Sequence, residues 1–375
     1  MDGESIDMRI TFPHMGLLYV PVGAMLAELG IDTVIPPASS ARTVSIGAAH
    51  APEFCCFPLK LSIGNLLEAI ELGADSVLMA GGSGPCRFGY YAQVEKQVLE
   101  DLGHALDFHV LEPPATHLSQ LLRSLKRLLG SRMSRVFGAA KIGWEKATAC
   151  DALTRAAHES RPFERRAGVV TKWHHAAVRK VDAISSITGI RQVAEAALAD
   201  LDEHLLPQDV RSRVPCVSVV GEIYTVLEPV ANLNLEEKLG RLGVRVVRRV
   251  FITDWVRHNL LPRFAGPSED VVCGHASPYL NYFVGGEGIQ SVGYTVMSAR
   301  ERLHGVVHVM PFTCMPEIVA RSVLPEVQNR HNIPVLSLSF DEHTGESGLE
   351  TRLEAFVDLI REKGGFRHDA GASRS

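Results

Sequence analysis

Short apolar runs alternate with longer amphipathic stretches along this chain, and the alternation starts twice. Met8-Arg9-Ile10-Thr11-Phe12 reads as a strand ending at Pro13 and Gly16, followed by a helical pattern from Tyr19 to Leu29 and a strand at Thr33-Val34-Ile35. Leu59 to Leu72 reads as a helix stopped at Gly73. Ser76-Val77-Leu78-Met79-Ala80 reads as a buried strand, Glu95 to Leu102 as helix and Phe108-His109-Val110-Leu111 as strand, with a boundary at Pro113-Pro114. The second series opens at Cys216-Val217-Ser218-Val219-Val220-Gly221 and continues with strands at Val244 to Val250, Val306 to Val309 and Val335 to Leu338. Between the two, Thr116 to Leu206 is rich in Ala, Leu, Arg and Glu at helical spacing. The expected fold is α/β: two Rossmann-like doubly wound domains, 1–115 and 211–363, with a helical segment at 116–210 and a disordered tail at 364–375.

With 375 residues, 46% of them hydrophobic and 22% charged, the chain can bury a large core. The net charge of -5 arises from intermixed signs without a basic stripe, so nucleic acid and anionic membrane are not expected partners. The N-terminal residues Met1 to Asp7 lack the pattern of a signal peptide, and no apolar run has the length of a membrane span. The expected location is the cytoplasm. Seven cysteines in a reducing compartment, and an odd number at that, point to metal or redox chemistry rather than a disulfide framework.

Three of these cysteines sit in Gly/Pro-punctuated turns: Cys56 in Cys55-Cys56-Phe57-Pro58-Leu59-Lys60, Cys86 in Gly84-Pro85-Cys86-Arg87-Phe88-Gly89, and Cys314 in Pro311-Phe312-Thr313-Cys314-Met315-Pro316-Glu317. A packing thiol lies inside an apolar element, whereas a thiolate that binds soft metal or iron-sulfur is presented by a turn whose N–H groups reach the sulfur. Cys86 and Cys314 each follow the carboxyl end of a strand, the edge at which doubly wound sheets bind ligands, and two facing domains would bring them across a cleft. Cys55 competes with Cys56 for one ligand position; Cys56 is preferred because it directly precedes the aromatic-Pro-x-Lys element. Cys150, in a helical stretch, and Cys216, opening a strand, read as structural thiols. Cys273, before a Gly-His turn, is a reserve ligand.

Other residues have two readings each. Lys60 and Arg87 either offset thiolate and sulfide charge, raising a reduction potential, or form surface salt bridges. Glu222 and Tyr224, after a strand end, either contact the cleft or, for Glu222, cap a helix. Trp173-His174-His175 resembles a metal pair but reads as having a surface or packing role, since adjacent helical residues point to different faces. Gly285-Gly286-Glu287-Gly288 permits close backbone approach to a ligand. Asp341-Glu342-His343 supplies acid-base groups or caps the helix that follows.

Taken with Arg161-Pro162-Phe163-Glu164, Gly221-Glu222-Ile223-Tyr224, Glu228-Pro229-Val230-Ala231-Asn232, Asp341-Glu342-His343-Thr344-Gly345-Glu346 and Thr351-Arg352-Leu353-Glu354-Ala355-Phe356, the cysteine turns resemble one family over nearly the whole chain. It is the iron-sulfur component of the 2-hydroxyacyl-CoA dehydratase and benzoyl-CoA reductase superfamily, in the branch labelled CoA protein activase or activase-associated protein. The resemblance implies Rossmann-like domains with a [4Fe-4S] cluster between them and an electron supplied by a separate ATP-dependent activator. A homologous cluster-bearing subunit and an acyl-CoA substrate are further implied partners. The sequence has no Gly-x-x-x-x-Gly-Lys-[Ser/Thr] run, so this chain does not read as the ATPase. Its three confident turn cysteines are fewer than double-cubane relatives use, which favours a single cubane on Cys56, Cys86 and Cys314. One iron is then left for Cys55, water, an oxygen ligand or a substrate oxygen.

The expected function is low-potential electron transfer linked to CoA-thioester dehydration or reduction, with catalytic residues unassigned. The alternatives are a non-catalytic electron carrier or regulatory partner of the activator, and a structural zinc protein on the same thiolates.

Overall fold

The computed structural model describes residues 8–82, 84–112, 114–208, 211, 213–259 and 269–366. Each half contains a four-stranded, all-parallel sheet. The first is built from β1 (Arg9–Thr11), β2 (Asp32–Thr33), β3 (Ser76–Ala80) and β4 (Asp107–Leu111) in the order β2-β1-β3-β4. The second, β5 (Cys216–Gly221), β6 (Arg245–Arg248), β7 (Gly305–Pro311) and β8 (Val335–Phe340), runs β6-β5-β7-β8. The two sheets therefore share one topology. In each, the chain builds outward on one side of its first strand and then returns to the other, which creates a switch point between β1 and β3 and another between β5 and β7. Every residue of β5 and β7 is buried, as expected for central parallel strands covered on both faces.

In the first half, helices α1 (Tyr19–Glu28), α2 (Ala41–His50), α3 (Phe57–Glu71) and α4 (Tyr91–Asp101) accompany the sheet. Helix α2 lies where hydrophobic periodicity is weak. A reciprocal capping box fixes its start, with Ser40 accepting from the Thr43 N–H and Thr43 Oγ1 accepting from the Ser40 N–H.

The middle segment forms α5 (Pro114–Leu129), α6 (Val136–Ser160), α7 (Val169–Asp182) and α8 (Ile187–Asp200). These helices do not stand apart from the sheets. Val20 of α1 joins a core with Leu153, Val178 and Ile190, while Ile10 and Leu26 pack with Leu129 and Ala139. Towards the second half, Asp151 accepts from the Thr253 N–H at 3.1 Å and its hydroxyl at 2.6 Å. Cys150 is buried in this helical core.

The second half carries α9 (Ile223–Leu227), α10 (Leu235–Arg241), α11 (Ile252–Asn259), α12 (Glu269–Ala276), α13 (Gly288–Arg300), α14 (Met315–His331) and α15 (Glu346–Gly364). Its core unites Val217, Val219, Leu235, Val307, Val309, Leu353 and Phe356. Cys273 lies within α12, packed beside Ala276 and Leu280, rather than ahead of a turn. Of the expected tail from 364, Gly364 belongs to α15, Gly365 closes that helix in the left-handed conformation, and 367–375 lie outside the described residues. Among the described residues, no helix is long and apolar enough to cross a membrane.

Candidate functional site

Cys56, Cys86 and Cys314 occupy the same kind of position: each is the extended residue immediately before a helical turn. Cys56 precedes α3, Cys314 precedes α14, and Cys86 precedes the 3-10 turn Arg87–Tyr90 that leads into α4. Prolines fall in the first turn of both long helices, Pro58 and Pro316, where a missing N–H costs no intrahelical bond. Each sulfur thus lies at the start of a helical turn, and the backbone at Phe88 and at Glu317 favours the thiolates of Cys86 and Cys314, although neither side chain caps its helix. Cys56 Sγ lies 2.7 Å from the Tyr91 hydroxyl.

Cys86 follows β3 and Cys314 follows β7, the topologically equivalent strands of the two sheets, and both lie at the strands' carboxyl ends. The three thiols are near enough to influence one another. Burial raises the pKa of each, and Cys56 adds to the rise at both Cys86, which reaches about 11, and Cys314. Cys55, also pushed up to about 11 by burial, has Cys56, Lys60, Arg87 and Glu342 as its charged neighbours instead.

Three carboxyl groups surround the thiols. Glu222, at the end of β5, caps α9: Oε1 accepts from the Tyr224 N–H at 2.9 Å, and Oε2 accepts from the Thr225 N–H at 2.8 Å and its hydroxyl at 2.7 Å. Burial raises its pKa against the pull of those bonds. Burial, reinforced by Glu222 and Glu317, pushes Glu287 up to about 8. Glu317 bonds His308 Nε2 at 2.7 Å, with both side chains fully buried, while its Oε1 is buried without a partner.

The turn before α13 closes one side. Gly285 and Gly286 both have positive φ, and a Cβ at Gly285 would stand 2.7 Å from the Cys86 nitrogen. A Cβ at Gly286 would meet Pro316 at 3.3 Å and the Cys86 sulfur at 3.8 Å. The close backbone approach expected of this turn is thus made to the cysteine turns themselves.

Side chains from the first half tie these turns to the second half. Arg87 donates to the Phe54 carbonyl at 3.1 Å, to Thr313 Oγ1 at 3.1 Å and to the Thr313 carbonyl. Lys60 is buried and pairs with Glu342, rather than lying in a surface salt bridge. After β1, His14 Nδ1 and the Gly16 N–H both reach Glu228 Oε2, at 2.9 and 2.8 Å. Tyr224 is buried against Asn65, its hydroxyl donating at 3.4 Å.

The remaining marked residues are structural here. His174 is buried and bonded to Thr154 at 3.0 Å. Asp341 organises its own turn by accepting from the His343 N–H and Thr344 hydroxyl, and α15 follows Gly345 without a side-chain cap. Tyr91, Glu287, Glu317, His308 and Glu228 were not singled out as site residues from sequence. Glu317 and Glu287 were within quoted motifs, and only the fold reveals that they share one interior.

Among the described residues, no three His, Cys, Asp or Glu side chains gather tightly enough for one metal ion. No protein-family model matches the chain, and no curated protein sequence matches it.

Proposed function

We propose that this chain holds a [4Fe-4S] cluster between its two sheets on Cys56, Cys86 and Cys314, and uses it in low-potential electron transfer linked to dehydration or reduction of CoA thioesters. The observation carrying this reading is the meeting of three sequence-distant thiols at helix N-termini, with Cys86 and Cys314 on equivalent strand ends. The residues present fit the group. The backbone at Phe88 and Glu317 favours two of the thiolates, the Tyr91 phenol lies 2.7 Å from the sulfur of Cys56, and Glu317 Oε1 is a buried acceptor without a hydrogen-bond partner.

When bound, the cluster would supply one-electron chemistry and a Lewis-acidic iron outside the cysteine set. The chain's own residues would hold it and set the field around it. Glu342 pairs with Lys60, Arg87 bears on Cys56, and Glu222 and Glu317 bear on Cys314. Exposed Phe54, Tyr90, Phe283 and Phe312 flank the cysteine turns and offer an apolar rim to an acyl group or a partner protein. The CoA link and the ATP-dependent activator rest on the sequence blocks that resemble the dehydratase superfamily.

The test is anaerobic purification of Cys86→Ser, Cys314→Ser and Cys150→Ser. The first two should lose the cluster and the third should keep it; equal iron in all three overturns the assignment. Turnover of an acyl-CoA by the intact protein with an activator then separates an enzyme from an electron carrier.

A further inference from the structure

We propose that one internal water molecule is held where the helical segment meets the second half, by Glu236, His158 and Arg248, with Arg161 completing its shell. The four side chains come from separate elements. His158 lies in the last turn of α6, Arg161 opens the 3-10 turn Arg161–Phe163, Glu236 lies in the first turn of α10 and Arg248 ends β6. Among the described residues nine buried side-chain nitrogen and oxygen atoms have no hydrogen-bond partner, and four of them are here: His158 Nδ1, Arg161 Nη1, Glu236 Oε1 and Arg248 Nε. An unpaired buried polar group forfeits its hydration, so such atoms are few in a folded protein, and a group of them points to a shared partner.

Their proximity follows from bonds around one carboxylate oxygen. Glu236 Oε2 lies 3.0 Å from His158 Nε2 and 3.4 Å from Arg248 Nη1. In each group the unpaired atom is two covalent bonds from the paired one: Oε1 across the carboxylate carbon, Nδ1 across Cε1 of the ring, Nε across Cζ of the guanidinium. Three unpaired atoms therefore surround a single ion-paired contact, and the His158 and Arg248 side chains are only 5% and 7% exposed. Arg161 follows His158 by three residues as α6 runs into the 3-10 turn, which places it on the same face. Its stem packs on α10 one turn beyond Glu236, where a Cβ at Gly240 would stand 2.6 Å from the Arg161 Cβ. Arg161 Nε donates to Thr171 Oγ1 at 3.5 Å, while Nη1 has no acceptor.

The complement of donors and acceptors decides what fits. The Glu236 carboxylate accepts the proton on His158 Nε2, which makes Nδ1 of the neutral ring an acceptor. Burial lowers the His158 pKa to about 4, so the ring is neutral at pH 7. The open positions are then two acceptors, Glu236 Oε1 and His158 Nδ1, and two donors, Arg248 Nε and Arg161 Nη1. A water molecule donates twice and accepts twice, and buried water is characteristically bonded to such otherwise unsatisfied groups. An anion would face the carboxylate oxygen and a cation would face two guanidinium groups. A neutral guest is the one that all four neighbours favour.

The experiment pairs a high-resolution crystal structure of the full chain, native and soaked with bromide or rubidium, with oxygen-17 water relaxation dispersion in solution. Native crystals should show a single solvent peak about 2.7–3.2 Å from Glu236 Oε1, His158 Nδ1 and Arg248 Nε, with no anomalous signal there from either soaked ion. In solution the double variant Glu236→Met/Arg248→Met, which exchanges an ion pair for two apolar side chains, a change that buried pairs often tolerate, should hold one long-lived water fewer than wild type, with unchanged circular dichroism. No density at that position, with the four atoms bonded to protein groups instead, overturns the proposal. An anomalous peak there assigns an ion and overturns it too, as does an equal water count in a folded double variant. Where the double variant does not fold, the native map decides.

Discussion

Arg87 Nη2 donates to Thr313 Oγ1 at 3.1 Å, so the turn carrying Cys86 is bonded to the turn carrying Cys314 across the two halves of the chain. The same guanidinium holds the Phe54 carbonyl, two residues before Cys56. One side chain therefore spans all three cysteine turns. Hydrogen bonds from a charged donor contribute about 1.5–3 kcal/mol each when shielded and less when exposed, as Arg87 is. Arg87→Ala should lower the unfolding free energy by about 1–2 kcal/mol and reduce iron retained through gel filtration, with Arg87→Lys intermediate. Unchanged urea midpoint and iron content in Arg87→Ala would show that the turns are positioned without it.

Lys60 and Glu342 form a second tie, from α3 to the turn after β8. Removing one member of a buried pair strands the other. Lys60→Met should cost about 3 kcal/mol, and adding Glu342→Leu should recover most of that, because two apolar groups replace an ion pair with little penalty. Urea unfolding of both single variants and the double variant measures the coupling; additive losses would mean that the pair contributes nothing as a pair.

The Tyr91 hydroxyl, 2.7 Å from Cys56 Sγ, has a redox consequence. A hydrogen bond donated to a cluster thiolate stabilises the reduced, more negative state. Tyr91→Phe should therefore lower the reduction potential by roughly 40 mV, the one-electron equivalent of about 1 kcal/mol. Anaerobic redox titration followed by visible absorption reads the shift. A potential that rises or stays fixed would contradict the donor role.

Glu95 gives the fold a pH signature away from the thiols. Its carboxyl is buried, accepts from the Ser62 hydroxyl at 2.6 Å and leaves Oε2 without a partner; burial pushes its pKa from 4.5 up to about 7. The folded state holds this proton more tightly than the unfolded state. Its ionisation penalty is absent below pH 4.5, grows between 4.5 and about 7, and is constant above, reaching roughly 3 kcal/mol. Glu95→Gln removes that dependence. The stability of the variant relative to wild type should rise from pH 4.5 to pH 8 by about 2–3 kcal/mol, measured by urea unfolding across the range. A flat difference would show that Glu95 ionises normally in the folded protein.

Much of the scaffold was legible because parallel strands buried on both faces leave unbroken apolar runs: Ser76–Ala80 and Cys216–Gly221 are read from sequence with the bounds they have in the fold. The carboxyl ends of β3 and β7 then locate Cys86 and Cys314. Helix α2 was hidden because its contacts use small residues, Gly47 lying against the Lys60 carbonyl of α3. Cys273 misled because Gly274 and His275 resemble a turn, yet both continue α12, whose packing on α13 overrides local propensity. The carboxyl groups were hidden for a different reason. Glu222, Glu287 and Glu317 precede or open separate helices, and a local role, the cap of α9, is open to Glu222 alone; only the packing of β5, α13 and α14 makes them neighbours.

The most direct test of the cluster assignment is iron and acid-labile sulfide analysis of the wild-type chain purified without oxygen, with its visible spectrum. The expected result is brown protein with about four irons and four sulfides per chain, lost together in Cys56→Ser, Cys86→Ser and Cys314→Ser. Colourless protein with stoichiometric zinc, or without bound metal, would contradict it.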